Sequence, residues 1–259
     1  MSRTIAGWRE EFKYWIDGDQ ARRIVRAISS FVVPDPHADS HAEATYTVRS
    51  IYYDSPRFDF YHHKVDGLRR RKKLRVRSYA RDGIPERLFL EIKHKRGRKV
   101  LKERAPLSPD LCKHALVHKE IPPLQPGDGM TPGTLRAAGR FVWFTRQLCL
   151  EPVVLVAYDR TAYVDRWHPQ ARLTMDRGVQ SLLWPTYDAL FEEGHLHPCT
   201  NGHVILELKF GDCMPQWMRC LIRSEGLMST SISKYCLSLE SWRSGQGVPE
   251  ASHPSGMDH

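Results

Sequence analysis

The sequence predicts an α+β fold: a closed antiparallel β-barrel of about eight strands forming a charged tunnel, with α-helices packed on its outside. Charged and apolar residues alternate with period two in at least six segments, as in RKKLRVRSY at 71–79. The charged sides are dominated by Lys and Arg, with one Glu in each of three strands, whereas a solvated face would mix polar residues freely. Amphipathic segments between the strands can cover the apolar sides. The charge is therefore expected to point inward.

The pattern of the N-terminal 36 residues predicts the first strand and the first helix. REEFKYWI at 9–16 alternates polar and apolar residues. Asp17 or Asp19 is suited to cap a helix through ARRIVRAISSFV, which Pro34 and Pro36 end.

The next extended segments are rich in Lys and Arg. TYTVRSIYYD at 45–54 is rich in β-branched and aromatic residues, which favours a strand. The turn ARDGIPE joins 71–79 to RLFLEIKHK at 87–95 as a hairpin, and GRKVLKERAPL at 97–107 adds another strand.

The C-terminal half alternates helices with strands. Helices are predicted at 109–120 and 135–150, strands at 152–165, 171–177 and 203–210, and a further helix at 212–226 with Pro215 in its first turn. SISKYCLSLESW closes the fold. We expect a single domain over 1–243 and a disordered tail over 244–259.

Composition limits the classes of function. The 259 residues include 39 Lys and Arg against 30 Asp and Glu, a net charge of +9, which favours an anionic partner. The apolar content of 41% is typical of a globular protein. No apolar run suits a membrane span or a secretory signal, so we expect a cytoplasmic protein. The six cysteines include no CxxC pair, which disfavours a disulfide framework or a thiolate zinc site.

A lumen lined with Lys and Arg requires a polyanion. Two like charges about 7 Å apart repel by about 2 kcal/mol at an effective dielectric constant of about 20. Arg forms paired hydrogen bonds to phosphate oxygens, and Lys supplies a mobile point charge. The Glu residues would repel a phosphate chain unless a hard cation lay between them, so Mg²⁺ or Mn²⁺ is expected.

An ordered set of motifs carries a family resemblance. EFKYWI, SIYYD, LRVRSY, LEIKHK, LKER, YDRTAY, RLTMD, ILELKF and SKY resemble, in order and spacing, the motifs of the VTC-type polyphosphate polymerase domain. That domain belongs to the triphosphate tunnel metalloenzymes, which include the CYTH enzymes. The resemblance covers residues 8 to about 240 and implies transfer of the ATP γ-phosphate to a growing inorganic polyphosphate chain.

The resemblance and the alternation together give the candidate site residues. The proposed catalytic cations are Arg75, Arg77, Arg160, Arg172 and Lys234. Substrate-binding candidates are Lys13, Lys73, Lys93, Lys95, Lys102, Arg104, Tyr158 and Lys209, with Lys99 as an alternative for the LKER position. Glu207 matches the metal-binding Glu of the family, and Glu11 and Glu91 are further metal-ligand candidates.

Several alternatives remain open from sequence alone. The same tunnel could hydrolyse triphosphate or polyphosphate, or bind a polyanion without catalysis. LRRRKK at 68–73 suggests nucleic acid, but Glu11, Glu91 and Glu207 have no use in such a surface. Eukaryotic VTC proteins add a sensor domain and membrane helices that are not found here, so a separate membrane protein is a possible partner. The sequence leaves the oligomeric state open.

Overall fold

A computed structural model describes residues 9–35, 45–80, 87–122, 130–192 and 194–245. The strands are β1 (Arg9–Ile16), β2 (Val32–Pro34), β3 (Thr45–Asp54), β4 (Arg70–Ala80), β5 (Leu88–Arg96), β6 (Lys99–Leu107), β7 (Glu151–Asp165), β8 (Arg172–Leu183), β9 (His197–Pro198) and β10 (Val204–Phe210). The helices are α1 (Gly18–Ile28), α2 (Asp59–Val65), α3 (Pro109–Val117), α4 (Pro132–Gln147), α5 (Gln216–Ser224) and α6 (Lys234–Gly245).

Eight of the strands close into an antiparallel barrel. The order is β7-β3-β4-β5-β6-β1-β10-β8, and β8 pairs back onto β7. The short β2 and β9 extend β7 and β8 outside this ring. The predicted barrel with surrounding helices is confirmed.

The apolar side of β4 and β5 faces outward, where α4 covers it. Leu74, Val76, Leu90 and Ile92 are at most 1% exposed and form one cluster with Phe141 of α4. A second cluster joins β1 and β10 to α1 and α5. Because strand side chains alternate, the charged residues between these positions must point into the barrel.

The first helix begins as predicted but ends early. Asp17 is its N-cap, accepting a hydrogen bond from the Gln20 N–H at 2.7 Å. The helix stops at Ile28, and Val32 lies in β2, where it pairs with Asp165 of β7. The predicted extension of the helix was therefore wrong, because the backbone groups of residues 32–34 pair with β7 instead.

Three further boundaries differ from the predictions. The strand predicted at 171–177 runs to Leu183, because β7 offers it a partner along that whole length. Pro215 is extended and precedes α5, so the helix begins at Gln216 and not at Asp212. The first two residues of the predicted tail belong to α6, and residues 246–259 lie outside the described residues. So do Pro36 and the turn at 81–86.

Helices α2 and α6 meet at the end of the barrel where β3 stops. The carboxylate of Asp54, which is fully buried, accepts hydrogen bonds from the backbone N–H groups of Phe60 and Tyr61. It also accepts one from the Tyr235 hydroxyl, at 2.5 Å. Asp54 thus ties both helices to β3 and positions the start of α6. Sequence reasoning did not predict α2.

Candidate active site in the barrel lumen

The barrel encloses a field of ionised side chains. The cations that line it are Lys13, Lys73, Arg75, Arg77, Lys93, Lys102, Arg104, Arg160, Lys209 and Lys234, and the carboxylates are Glu11, Glu91, Asp176 and Glu207. These ten cations outnumber the four carboxylates by six. All of the predicted residues except Arg172 and Lys95 therefore converge on one lumen, whose excess of positive charge favours an anion.

Glu207 is the centre of one ion-pair cluster. Its carboxylate lies 3.0 Å from Lys13 Nζ, 2.9 Å from Lys234 Nζ and 2.6 Å from Lys209 Nζ. Burial would raise the pKa of Glu207, but these cations, with Arg160, hold it well below its usual range. The same field acts on Lys13, whose pKa lies above its ordinary value because Glu207 and Glu11 outweigh its burial. Both groups are charged in the free protein.

Glu91 is the centre of a second cluster. Its carboxylate is 1% exposed and contacts Lys102 at 2.5 Å, Arg104 Nε at 2.7 Å and Arg75 Nη2 at 2.7 Å. Arg77 lies at 4.0 Å. Burial opposes ionisation, yet these cations keep the pKa of Glu91 well below its usual range. Glu91 thus holds the guanidinium groups of β4 in place.

Asp176 joins β8 and α6 to the lumen and was not among the predicted site residues. It accepts a two-point hydrogen bond from Arg160, at 2.6 Å and 2.8 Å. It also pairs with Lys234, the first residue of α6. Asp176 shares its side of β8 with Arg172 and Thr174, so alternation is the signal that identifies it.

Tyr52 is a second residue that sequence reasoning missed. Its hydroxyl accepts a hydrogen bond from Arg75 Nη1 at 2.8 Å, and its ring stacks on Tyr235 with 5.4 Å between centroids. Burial would raise the pKa of Tyr52, but Arg75, Arg77 and Lys73 lower it to about 7. Tyr158 was predicted, and its hydroxyl accepts from Arg77 Nη2 at 3.1 Å.

Some candidates lie away from this centre. Arg172 pairs with Asp35 at 3.1 Å, and its side chain is 39% exposed. Lys95 is half-buried near the end of β5. Lys99 is exposed, whereas Lys102 and Arg104 contact Glu91, so the alternative placement of the LKER position was wrong.

Comparison with known protein families identifies the family of this chain. The sequence model of the VTC domain matches residues 8–243. The chain belongs to the VTC domain family. No curated protein sequence matches it significantly. This membership, together with the cationic lumen, supports a tunnel enzyme for polyphosphate or triphosphates.

Solved structures share the architecture of this VTC domain. A candidate adenylate cyclase from Bacillus halodurans is 13% identical, with a TM-score of 0.51 over 87% of this chain and 93% of that one. That likeness shows the fold. A candidate adenylyl cyclase from Hippeastrum, reported with a dominant triphosphatase activity, is 14% identical, with a TM-score of 0.46 over 95% of this chain and 100% of that one.

The lumen carboxylates of this VTC domain are the groups that a divalent cation would contact. Among the described residues, no three His, Cys, Asp or Glu side chains group as ligands. Glu11 and Glu207 instead converge on Lys13 Nζ, at 3.4 Å and 3.0 Å. Mg²⁺ is usually held by one or two carboxylates and completed by water and substrate phosphates. A cation at these carboxylates would therefore need a phosphate chain to supply further ligands.

We expect Lys73 and Lys209 in the lumen, and Lys95 near the end of β5, to make phosphate binding depend on pH. Burial lowers the pKa of Lys73, Lys95 and Lys209 to about 8. A bound phosphate chain would favour their charged form, so we expect the affinity to be highest below pH 8 and to fall as the lysines lose their protons above it. Titration calorimetry with tripolyphosphate in EDTA is expected to show at least about tenfold weaker binding at pH 9.5 than at pH 7.

The control for this pH effect is Lys95→Arg, whose side chain stays charged throughout the range. It should lose less affinity at high pH than the unmodified protein. Identical and flat pH profiles for both proteins would contradict the assignment of these lysines to the binding site.

None of the described helices combines the length and apolar character needed to cross a lipid bilayer.

Proposed function

We propose that this VTC domain is a metal-dependent polyphosphate polymerase, which transfers the γ-phosphate of ATP to a growing inorganic polyphosphate chain in the tunnel. The main support is that each of the four lumen carboxylates named above is paired with cations. Glu11, Glu91, Asp176 and Glu207 each contact at least two cations, and the pKa of each lies below its ordinary value.

Such carboxylates are poor general bases, because the neighbouring cations stabilise the ionised form. A water nucleophile needs a base to take its proton. The terminal phosphate of a polyphosphate chain is already ionised and needs none. The electrostatics of the lumen thus favour phosphate over water as the acceptor.

The chain's own residues would act by positioning and charge stabilisation. A terminal phosphate oxygen attacks the γ-phosphorus, the bond to the β-phosphate oxygen breaks, and ADP leaves with that electron pair. Arg75 and Arg77 lie side by side on β4 and can bind the transferring phosphoryl group. Arg160 and Lys234 face them from β7 and α6, where they can hold the acceptor end.

Glu207, with Glu11, would hold Mg²⁺ or Mn²⁺ beside the phosphates. When bound, the cation supplies a Lewis acid that neutralises charge on phosphate oxygens. A phosphate chain would draw Lys13 away from the two carboxylates by offering it new anionic partners, which frees their oxygens.

Hydrolysis is a second candidate because of Tyr52. Its hydroxyl faces the lumen beside Arg75, and with a pKa of about 7 it is the lumen group best suited to accept a proton from water near neutral pH. Tyr52→Phe should then abolish phosphate release if hydrolysis is the reaction. The same change should leave chain synthesis largely intact if the acceptor is phosphate.

The deciding experiment is incubation of the purified protein with ATP and Mn²⁺ or Mg²⁺, with products resolved by gel electrophoresis and ³¹P NMR. Polymerase activity is expected to give long-chain phosphate and stoichiometric ADP. Free phosphate or pyrophosphate without chains would favour hydrolysis. Thermal stabilisation by tripolyphosphate without any turnover would favour one of two alternatives. The protein would bind polyphosphate in its tunnel without catalysis, or it would be an enzyme that needs a separate membrane partner.

A further inference from the structure

Three aromatic rings lie together on the outside of the barrel, where α1, β7 and α5 meet. Phe31 follows α1, Trp167 follows β7, and Trp217 lies in the first turn of α5. Phe31 stacks on Trp217 with 6.1 Å between centroids, and it lies edge to face with Trp167 at 6.5 Å. Phe31 is 39% exposed and Trp167 is 64% exposed. We call these three residues the aromatic patch.

The carboxylate of Asp165, which is 2% exposed, holds the aromatic patch in place. One of its oxygens accepts a hydrogen bond from the backbone N–H of Trp167 at 2.8 Å, and the other accepts one from Trp217 Nε1. The backbone N–H of Arg166 donates to the Phe31 carbonyl oxygen at 3.0 Å. The rings are therefore fixed in position although two of them are exposed to water.

Contact between exposed rings distinguishes the aromatic patch from other exposed tryptophans. Trp143 and Trp184 are 54% and 55% exposed, but the ring that Trp143 contacts is buried and the ring that Trp184 contacts is half-buried. Single exposed apolar residues are normal on a soluble protein, whereas adjoining ones indicate an interaction surface. The aromatic patch is therefore a candidate docking surface.

The elements that carry the aromatic patch are rich in exposed arginines. These are Arg26 on α1, Arg166 beside Trp167, and Arg219 and Arg223 on α5. Within the described part of the chain, none of the four forms an ion pair. Asp19 and Glu225 lie at the other end of the two helices and already pair with Arg22 and Arg23. The surroundings of the patch therefore favour an anionic partner.

Exposed rings beside unpaired arginines have the chemistry that the surface of an anionic bilayer requires. Aromatic residues, tryptophan above all, favour the headgroup region, where apolar ring faces and polar groups are both satisfied. Arginine forms paired hydrogen bonds to phosphate, and each basic residue near an anionic leaflet adds to the attraction. We propose that the aromatic patch and its arginines dock this VTC domain onto an anionic membrane surface, with Phe31 and Trp167 entering the headgroup region.

The distribution of charge favours a lipid surface over a protein. A bilayer presents phosphate groups over its whole surface, so it can contact Arg26 on α1 and Arg219 on α5 at the same time. A protein partner would need a matching carboxylate at each of these places. A second copy of this chain would bring the same arginines together, and their repulsion opposes such a dimer.

Co-sedimentation with lipid vesicles tests this docking. The unmodified protein should bind vesicles made of equal parts phosphatidylcholine and phosphatidylglycerol, and it should stay in solution with phosphatidylcholine alone. Trp167→Ala and, independently, Phe31→Leu are expected to weaken binding to the anionic vesicles about tenfold, because less apolar surface enters the interface. Arg166→Gln should weaken it about fivefold, because one cation near the lipid phosphates is lost.

Matched controls come from α4, which covers β4 and β5 instead. Trp143→Ala removes a ring of similar exposure, and Arg146→Gln removes the same charge as Arg166→Gln. Both should bind anionic vesicles like the unmodified protein. Thermal melting would verify that every variant is folded, and affinity for tripolyphosphate in EDTA should stay unchanged because the patch lies outside the lumen.

Failure of the unmodified protein to bind anionic vesicles would overturn the proposal and favour a protein as the occupant of the patch. Equal binding by Trp167→Ala and Trp143→Ala would overturn it too, since the exposed ring would then make no contact with lipid. Equal losses for Arg166→Gln and Arg146→Gln would show that only net charge matters, which also contradicts a defined docking surface. None of these outcomes depends on turnover in the tunnel.

Discussion

Replacing Glu207 by Gln is expected to lower ATP turnover at least about 100-fold while the affinity for tripolyphosphate in EDTA stays equal or increases. The Gln side chain keeps the volume but removes a negative charge from between Lys13, Lys209 and Lys234. The lumen then attracts phosphate more strongly, but it loses the proposed metal ligand. Kinetics with Mn²⁺ and calorimetry without metal measure the two effects separately.

The same substitution should destabilise the free protein, since three lysines lose their shared counter-ion. Tripolyphosphate should restore the melting temperature by binding the folded state. Glu151→Gln is the control, because this carboxylate is 58% exposed and pairs only at the surface with Lys119. Near-normal turnover by a folded Glu207→Gln protein would refute the metal-ligand assignment, and weaker tripolyphosphate binding would refute the electrostatic argument.

Replacing Arg75 by Ala is expected to lower ATP turnover about 1,000-fold, which is the lower range for an arginine that stabilises a transferring phosphoryl group. Arg75 is held by Glu91 and by the Tyr52 hydroxyl, so its guanidinium is already oriented before substrate arrives. Arg75→Lys should recover little, because an ammonium group cannot make the paired hydrogen bonds. Steady-state kinetics of both variants would measure the loss.

The control for Arg75 is Arg146→Ala, which removes an exposed arginine from the last turn of α4. It should retain full activity. Glu91 keeps Lys102 and Arg104 as partners in the Arg75→Ala protein, so the barrel should remain folded. More than about a tenth of normal activity in a folded Arg75→Ala protein would exclude a direct role in phosphoryl transfer.

The sequence was sufficient to predict which charged side chains share one face of a strand. Alternation of period two is a property of the strand itself, so Arg75 and Arg77 share a face wherever β4 lies. The large number of Lys and Arg on those faces then indicated a polyanion. The ordered motifs added the family, and the match to the VTC domain over residues 8–243 confirmed it.

Pairings between strands could only come from the tertiary structure. Glu207 meets Lys13 because β10 pairs with β1, although the two residues are far apart in sequence. Sequence reasoning assigned Glu11, Glu91 and Glu207 to a metal, but only the structure shows which cations surround each of these carboxylates. Ion pairing depends on distance and burial, which alternation alone does not define.

The sequence by itself determined which residues share a face of each strand, because strand geometry repeats every two residues. Only the tertiary structure decided which of them meet and at which end of the tunnel they lie. Tyr46, Tyr79 and Phe89 come from three strands, and their rings lie together at one end of the barrel because of the register of β3, β4 and β5. Closure of the barrel sets that register, and long-range packing determines closure.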